Sequence, residues 1–168
     1  SGADSWEKLS SLSTVASHTL TYNPDTKSLV LIGGYSSKSG YNLDVLEYDL
    51  LEKRWQKMAT DGFSPRGIHG HSTVYNQKTR SFYVFGGMVF NVNASSISNK
   101  LWTLHSPSKT WSLIPFDPQH SKALYHLENK LLGRFLHTAV TTKEHMVILG
   151  GDSNHPGPST ILLFSFSC

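Results

Sequence analysis

The sequence predicts an all-β fold made of repeated four-stranded antiparallel units, and three observations predict it. His18 to Gly34 aligns without a gap on His71 to Gly87, and a copy two residues shorter runs from His137 to Gly151. Each copy ends in an apolar run closed by a glycine pair: Gly33-Gly34, Gly86-Gly87 and Gly150-Gly151. A tryptophan, Trp55 or Trp111, follows the first two pairs. Internal repetition on this scale decides architecture before any single residue decides function, because repeated units stack on one another.

Each unit reads as strands a, b, c and d. Strand a covers Ser17 to Tyr22, Gly70 to Tyr75 and His137 to Thr142, where β-branched and aromatic residues are enriched. Polar clusters such as Asn23-Pro24-Asp25 mark the turn into strand b. Strand b covers Ser28 to Ile32, Ser81 to Phe85 and His145 to Leu149. It is apolar almost throughout, which implies cover on both faces. The glycine pair ends it, allowing positive φ and the close approach of a neighbour. Strand c covers Leu43 to Asp49, Lys100 to His105 and Thr160 to Phe166, and strand d opens at Trp55 or Trp111.

A unit of this kind resembles the Kelch repeat, which implies a β-propeller with one blade per repeat. The motifs behind the resemblance are the three glycine pairs, the spacings Tyr48 to Trp55 and Leu104 to Trp111, and Arg-x-x-His at Arg66 to His69 and Arg134 to His137. The expected layout is a strand d over 5–12 around Trp6, repeats over 15–58 and 66–114, and a third over 134–168 that lacks its last strand. Gly33, Gly34, Gly86, Gly87, Gly150, Gly151, Trp55 and Trp111 are expected to be structural. About three blades of a six-bladed ring are thus expected, the rest supplied either by a longer chain or by a second copy exchanging strand d. A narrower likeness rests on Gly70-His71-Ser72-Thr73-Val74-Tyr75, on Thr79 to Gly87 and on Arg134 to Val140. These stretches resemble the Kelch region of attractin and the multiple EGF-like domains proteins. That implies a large extracellular or single-pass membrane protein of the cell surface, with EGF-like modules and a role in signalling.

Composition suits one soluble all-β domain: 168 residues, 38% hydrophobic, with a mean hydropathy of −0.27. No apolar run is long enough to span a bilayer, so this segment is not expected to insert into a membrane. The net charge of +3 comes from lysines and arginines spread over turns, such as Lys27, Lys53, Lys78, Lys109 and Lys143. Without a clustered basic face, no nucleic-acid partner is expected. The single cysteine, Cys168, cannot form an internal disulfide and either pairs elsewhere or stays a thiol. Asn93-Ala94-Ser95 is an acceptor triplet for N-glycosylation in a polar loop.

Antiparallel order puts the short a–b and c–d turns on one face and the long b–c and d–a loops on the other. Long loops on a rigid scaffold are the usual site of binding. The candidate protein-binding face therefore carries Tyr35, Tyr41, Arg66, His69, Met88, Phe90, Arg134, Phe135, Asp152 and His155. Exposed aromatics beside arginine suit a protein hot spot. Arg66 and Arg134 precede strand a at equivalent positions, so a scaffold role competes with a contact role. Within Pro115 to Leu132, the leucines at 124, 127, 131 and 132 would share one stripe of a short helical turn packed on the rim.

Catalytic chemistry is not expected. No nucleophile elbow, phosphate loop or dinucleotide glycine pattern occurs. His69-Gly70-His71 is the one tight histidine pair, but His18, His71 and His137 recur at one repeat position, which suits hydrogen bonding near the glycines rather than metal binding. No metal and no cofactor is expected. The reading is a non-catalytic protein-interaction module of a cell-surface protein, with the remaining blades and an unnamed protein as partners. The alternative is a cytoplasmic Kelch scaffold, such as a ubiquitin-ligase substrate-recognition or actin-associated domain.

Overall fold

The computed structural model describes residues 2–91, 94–115, 133–154 and 161–166. The first unit contains β1 (Thr19–Asn23), β2 (Ser28–Ile32), the small hairpin β3 (Tyr35–Ser36) and β4 (Gly40–Tyr41), β5 (Val45–Asp49) and β6 (Arg54–Met58). The second contains β7 (Ile68–His69), β8 (Ser72–Asn76), β9 (Ser81–Phe85), β10 (Met88–Asn91), β11 (Ala94–Ile97), β12 (Leu101–His105) and β13 (Thr110–Ile114). The third contains β14 (Thr138–Thr141), β15 (His145–Leu149) and β16 (Ile161–Ser165). Sheet orders are β1-β2-β5-β6, β13-β12-β9-β8 and β14-β15-β16. The fold is therefore all-β, three propeller-type blades of four, four and three described strands. All three b strands occupy the residues expected from the sequence.

The short turns are built without glycine. Asn23 Oδ1 accepts the Asp25 amide at 3.1 Å, and Asp49 Oδ1 accepts the amides of Leu51 and Glu52 at 2.8 and 2.9 Å. Lys27, Lys53, Arg80 and Lys109 then adopt left-handed φ near +50° just before the return strand or within its turn. Side-chain oxygens that hold neighbouring amides make such turns stable for non-glycine residues.

Alternation along the central strand divides its side chains between two cores. Phe82 and Val84 of β9 join Val30, Ile32, Val45 and Met58 of the first blade, with Trp102, Leu104 and Trp111. Tyr83 and Phe85 join Met146, Ile148, Leu162 and Phe166 of the third blade. The tryptophan of strand d faces the preceding blade: Trp111 is buried at 4% exposure, whereas Trp55 at the equivalent position is only half-buried against Tyr48. The outer faces of the first and third blades leave Leu20, Tyr22, Val140, Leu149, Ile161 and Leu163 exposed.

Residues 5–12 form no strand, and Trp6 is fully exposed. A strand d needs a strand c beside it, and β5 and β12 already carry their own. Among the described residues β16 has no fourth strand, and no helix is long and apolar enough to cross a membrane. The stripe expected within Pro115 to Leu132 lies outside the described residues, apart from Pro115, as does Cys168.

The glycine pairs lock blade to blade. A Cβ on Gly86 would lie 2.5 Å from the Arg134 carbonyl oxygen and 2.7 Å from His137 Cε1 of the next blade. Gly33 likewise abuts the Ile68 carbonyl and His71 Cε1. The second glycine seats its own blade's histidine, with His71 Cβ 2.8 Å from the position a Cβ on Gly87 would take. Each histidine also pairs across the interface, His71 Nε2 with Thr19 Oγ1 at 3.0 Å and His137 Nε2 with Ser72 Oγ at 2.9 Å. Backbone bonds complete the lock: Gly34 N–H to Ile68 O and Gly87 N–H to Arg134 O, both 2.8 Å. On the opposite face, Asp25 of the first blade accepts from Tyr75 Oη at 2.8 Å and Arg80 Nε at 2.9 Å of the second, and Asn23 donates to Ser106.

This packing corrects the register of the arginines. The carbonyl that meets the first glycine belongs to Ile68 in one interface and Arg134 in the next. Arg134 is therefore the counterpart of Ile68, and Arg66 is not its equivalent. The glycines react differently as a result. No described atom lies within 4 Å of a Cβ on Gly150, although its φ is +76°. Gly86→Ala should cost about 3 kcal/mol or more, from a steric clash added to left-handed strain. Gly150→Ala should cost only the strain, about 1–2 kcal/mol. Urea unfolding of the two variants checks this, and equal losses would refute it.

Burial holds both lock histidines neutral. His71 is lowered to about 3 by desolvation, then by the neighbouring His137, His69 and His18, with the Ile32 carbonyl opposing. His137 is lowered to about 4 by desolvation and then by Arg134, with the Phe85 carbonyl opposing. The unfolded chain binds protons at these groups below their ordinary 6.5, and the folded chain does not. Stability should thus be flat above pH 6.5 and fall as pH drops toward 4, by up to about 1.4 kcal/mol per pH unit for each histidine. Asp25 and Asp49, both lowered by hydrogen bonds they accept, add acid sensitivity only near and below the ordinary carboxylate value of 3.8. Denaturant midpoints measured from pH 6.5 down to about 5, above the range in which lowered carboxylates lose their contribution, read the histidine effect.

Candidate functional site

The loop face is built on a repeated backbone step. The residue just after each glycine pair bridges the residue two before the histidine: Tyr35 with Ala16, Met88 with His69, and Phe135 with Asp152. Next to that step, Ser17, Gly70 and Leu136 each adopt left-handed φ of 55–64°. Gly70 N–H donates to Ser17 O at 2.8 Å, and Leu136 N–H donates to Gly70 O at 2.7 Å. This backbone chain runs from blade to blade and gives the loops a rigid base.

From the first base step rises the hairpin β3–β4, with Tyr35 opposite Tyr41. Ser36 Oγ accepts the amides of Lys38 and Ser39, which closes its turn. From the second rises β10–β11, with Phe90 opposite Ser95. These two hairpins bring together residues far apart in sequence. Tyr41 lies at the centre, 5.1 Å from Tyr35, 5.5 Å from His69 and 5.5 Å from Phe90, stacked on the last at 21°. Tyr35 is 42% and Phe90 48% exposed. Beneath them the buried His69 Nδ1 has no hydrogen-bond partner. Gly67 lies beside the platform, where a Cβ would meet Tyr41 Cγ at an ordinary contact distance of 3.8 Å. Arg66, next to it, is exposed.

The other expected residues fall into two groups. Phe135 and Asp152 exchange backbone bonds at 3.0 and 2.8 Å on the third blade. Arg134, grouped with them as a contact residue, is instead turned inward. It is buried, and Nη1 donates to the Gly150 carbonyl at 3.1 Å. Asn93 and His155 lie outside the described residues. Sequence reasoning overlooked Phe63, 81% exposed and 6.0 Å from Trp102, on the loop that Asp61 pins to Thr110. Its signal was an aromatic in a Gly-Phe-Ser-Pro loop between units. A cleft of about 360 Å³ also opens between residues 12–15 and the first blade, with Tyr41 on its wall.

Known proteins share this chain's pattern. Residues 2–160 match the family model described as the attractin/LZTR1 β-propeller. Over 158 residues, 94% of the chain, the sequence is 39% identical to multiple epidermal growth factor-like domains protein 8 of Mus musculus, and to that of Rattus norvegicus. The protein of that name from Homo sapiens is 47% identical over 103 residues, 61% of the chain. The chain spans 5% of the length of the mouse and rat relatives and 4% of the human one. With its glycine–histidine locks and blade-type sheets, the chain belongs to the attractin/LZTR1 β-propeller family.

Proposed function

We propose that the chain is a non-catalytic protein-interaction module of a large extracellular or cell-surface protein, binding through its b–c and d–a loops. The observation that carries this reading is the ring cluster Tyr35–Tyr41–Phe90, exposed on a hydrogen-bonded base. Rigid aromatics offer large contact area at low entropic cost, which is why they dominate interface energetics. The histidines most suggestive of chemistry, His71 and His137, are already committed to blade packing. The relatives' name speaks of epidermal growth factor-like domains, modules that are disulfide-dense and belong to oxidising compartments.

Two measurements test the reading. In cross-linking to cell-surface proteins, a partner should map to 35–41, 66–70 and 88–97. Capture should be lost in Tyr35→Ser and Phe90→Ser, and kept in Lys27→Ser and Lys109→Ser on the opposite turns. Surface substitutions of this kind should shift stability by no more than about 0.5 kcal/mol. Capture that depended on the turns instead would reject the face. Secreted from an animal cell, the chain should carry one glycosidase-sensitive modification that Asn93→Gln abolishes, and an unmodified secreted chain would weigh against that compartment.

A further inference from the structure

The platform is poor in acidic groups, as is the second blade on which it stands, where residues 62–116 contain no aspartate or glutamate. The segments that surround it, 34–43, 62–70 and 87–98, contain no aspartate or glutamate. They contain two cations, Lys38 and Arg66, both exposed. Lys38 lies in the turn that joins Tyr35 to Tyr41, and Arg66 adjoins the glycine beneath Tyr41. Elsewhere four cations are ion-paired: Lys53 with Glu7, Arg54 with Glu52, Lys57 with Asp44 and Arg80 with Asp25. Lys27 and Lys109 on the turn face make no ion pair among the described residues, but they have no exposed ring cluster beside them. Among the described residues, neither Lys38 nor Arg66 makes an ion pair. Two cations without local counter-charges, beside 40–50% exposed rings, leave a surface whose complement is both anionic and apolar.

We infer that the platform of Tyr35, Tyr41 and Phe90 docks an acidic peptide segment of a partner protein. An apolar side chain of the segment seats on the rings, and its carboxylates meet Lys38 and Arg66. The apolar contact supplies affinity. The charges supply selectivity against basic segments and speed the encounter. Two cations are too few for a polyanion such as a nucleic acid, whose affinity grows with the number of neutralised phosphates. The inference rests on the loop-face reading above and adds the chemistry of the partner.

A random peptide library displayed on phage and panned on the immobilised 168-residue chain tests it. Retained peptides should be enriched in aspartate and glutamate around an aromatic or aliphatic residue. Phe90→Ser should weaken a retained peptide on the order of 30-fold, the effect of deleting a hot-spot side chain. Lys38→Glu with Arg66→Glu should reverse the charge preference and invert the salt dependence of an acidic peptide, since salt then screens repulsion. Tyr35→Ser is the second ring variant, and thermal unfolding verifies that each variant is folded. A retained pool without acidic enrichment, no retained pool, or affinity indifferent to these substitutions overturns the inference. So does binding of an anionic glycan array in place of peptides. If partner capture depends on Phe90 while the peptide pool is not acidic, the inferred chemistry fails and the loop-face reading survives. If capture depends on the turns, both fail.

Discussion

The approach of a histidine ring to the bare α-carbon of a glycine sets the distance between successive sheets. At Gly33 and Gly86 any side chain would overlap both the ring and a backbone carbonyl of the next blade. Removing the Cβ lets the sheets close until Phe82 and Val84 on one side and Tyr83 and Phe85 on the other are buried. The same closeness brings the histidine within reach of a threonine or serine hydroxyl, so a polar ring is buried without losing every partner. Apolar burial and polar satisfaction thus depend on the same missing methyl group.

The two faces of each unit are held to their neighbours in different ways. The turn face ties neighbours together through Asp25, Tyr75 and Arg80. Beyond the histidine locks, the base of the loops ties them through backbone bonds at Ser17, Gly70 and Leu136. Backbone bonds leave side chains uncommitted, and the loops that spring from this base differ from blade to blade. The first carries two tyrosines, the second a phenylalanine on a longer hairpin, the third an aspartate. Variation there costs the fold little, which is the usual condition for a surface that acquires partners.

What the sequence made legible follows from how locally each feature is specified. The b strands were readable to the residue because an unbroken apolar run ends at glycines with positive φ. The role of His71 and His137 was readable because repetition marked it. The arginine register was not, since Arg66-Gly67-Ile68-His69 imitates the local spacing of Arg134 to His137 while the interface aligns His71 instead. Residues 5–12 carry strand-like composition and a tryptophan, but a strand is a relation to a partner, and among the described residues none pairs with them. Ser17 and Leu136 adopt φ of 55°, which no local preference of serine or leucine announces. Of the site, the long loops and their aromatics were visible, whereas the meeting of Tyr41 with Phe90 depends on the packing of two blades.

The lock has a direction. One side of each sheet offers glycine, the other offers histidine and tryptophan, and the two are not interchangeable. An interface of this kind is heterologous: units add head to tail, and two like faces cannot satisfy each other. Repeated, such a joint closes into a ring where its rotation divides the full circle, and runs on as an open helix where it does not. The seat at Gly33 and Gly86 helps set that rotation, and with it whether the units close.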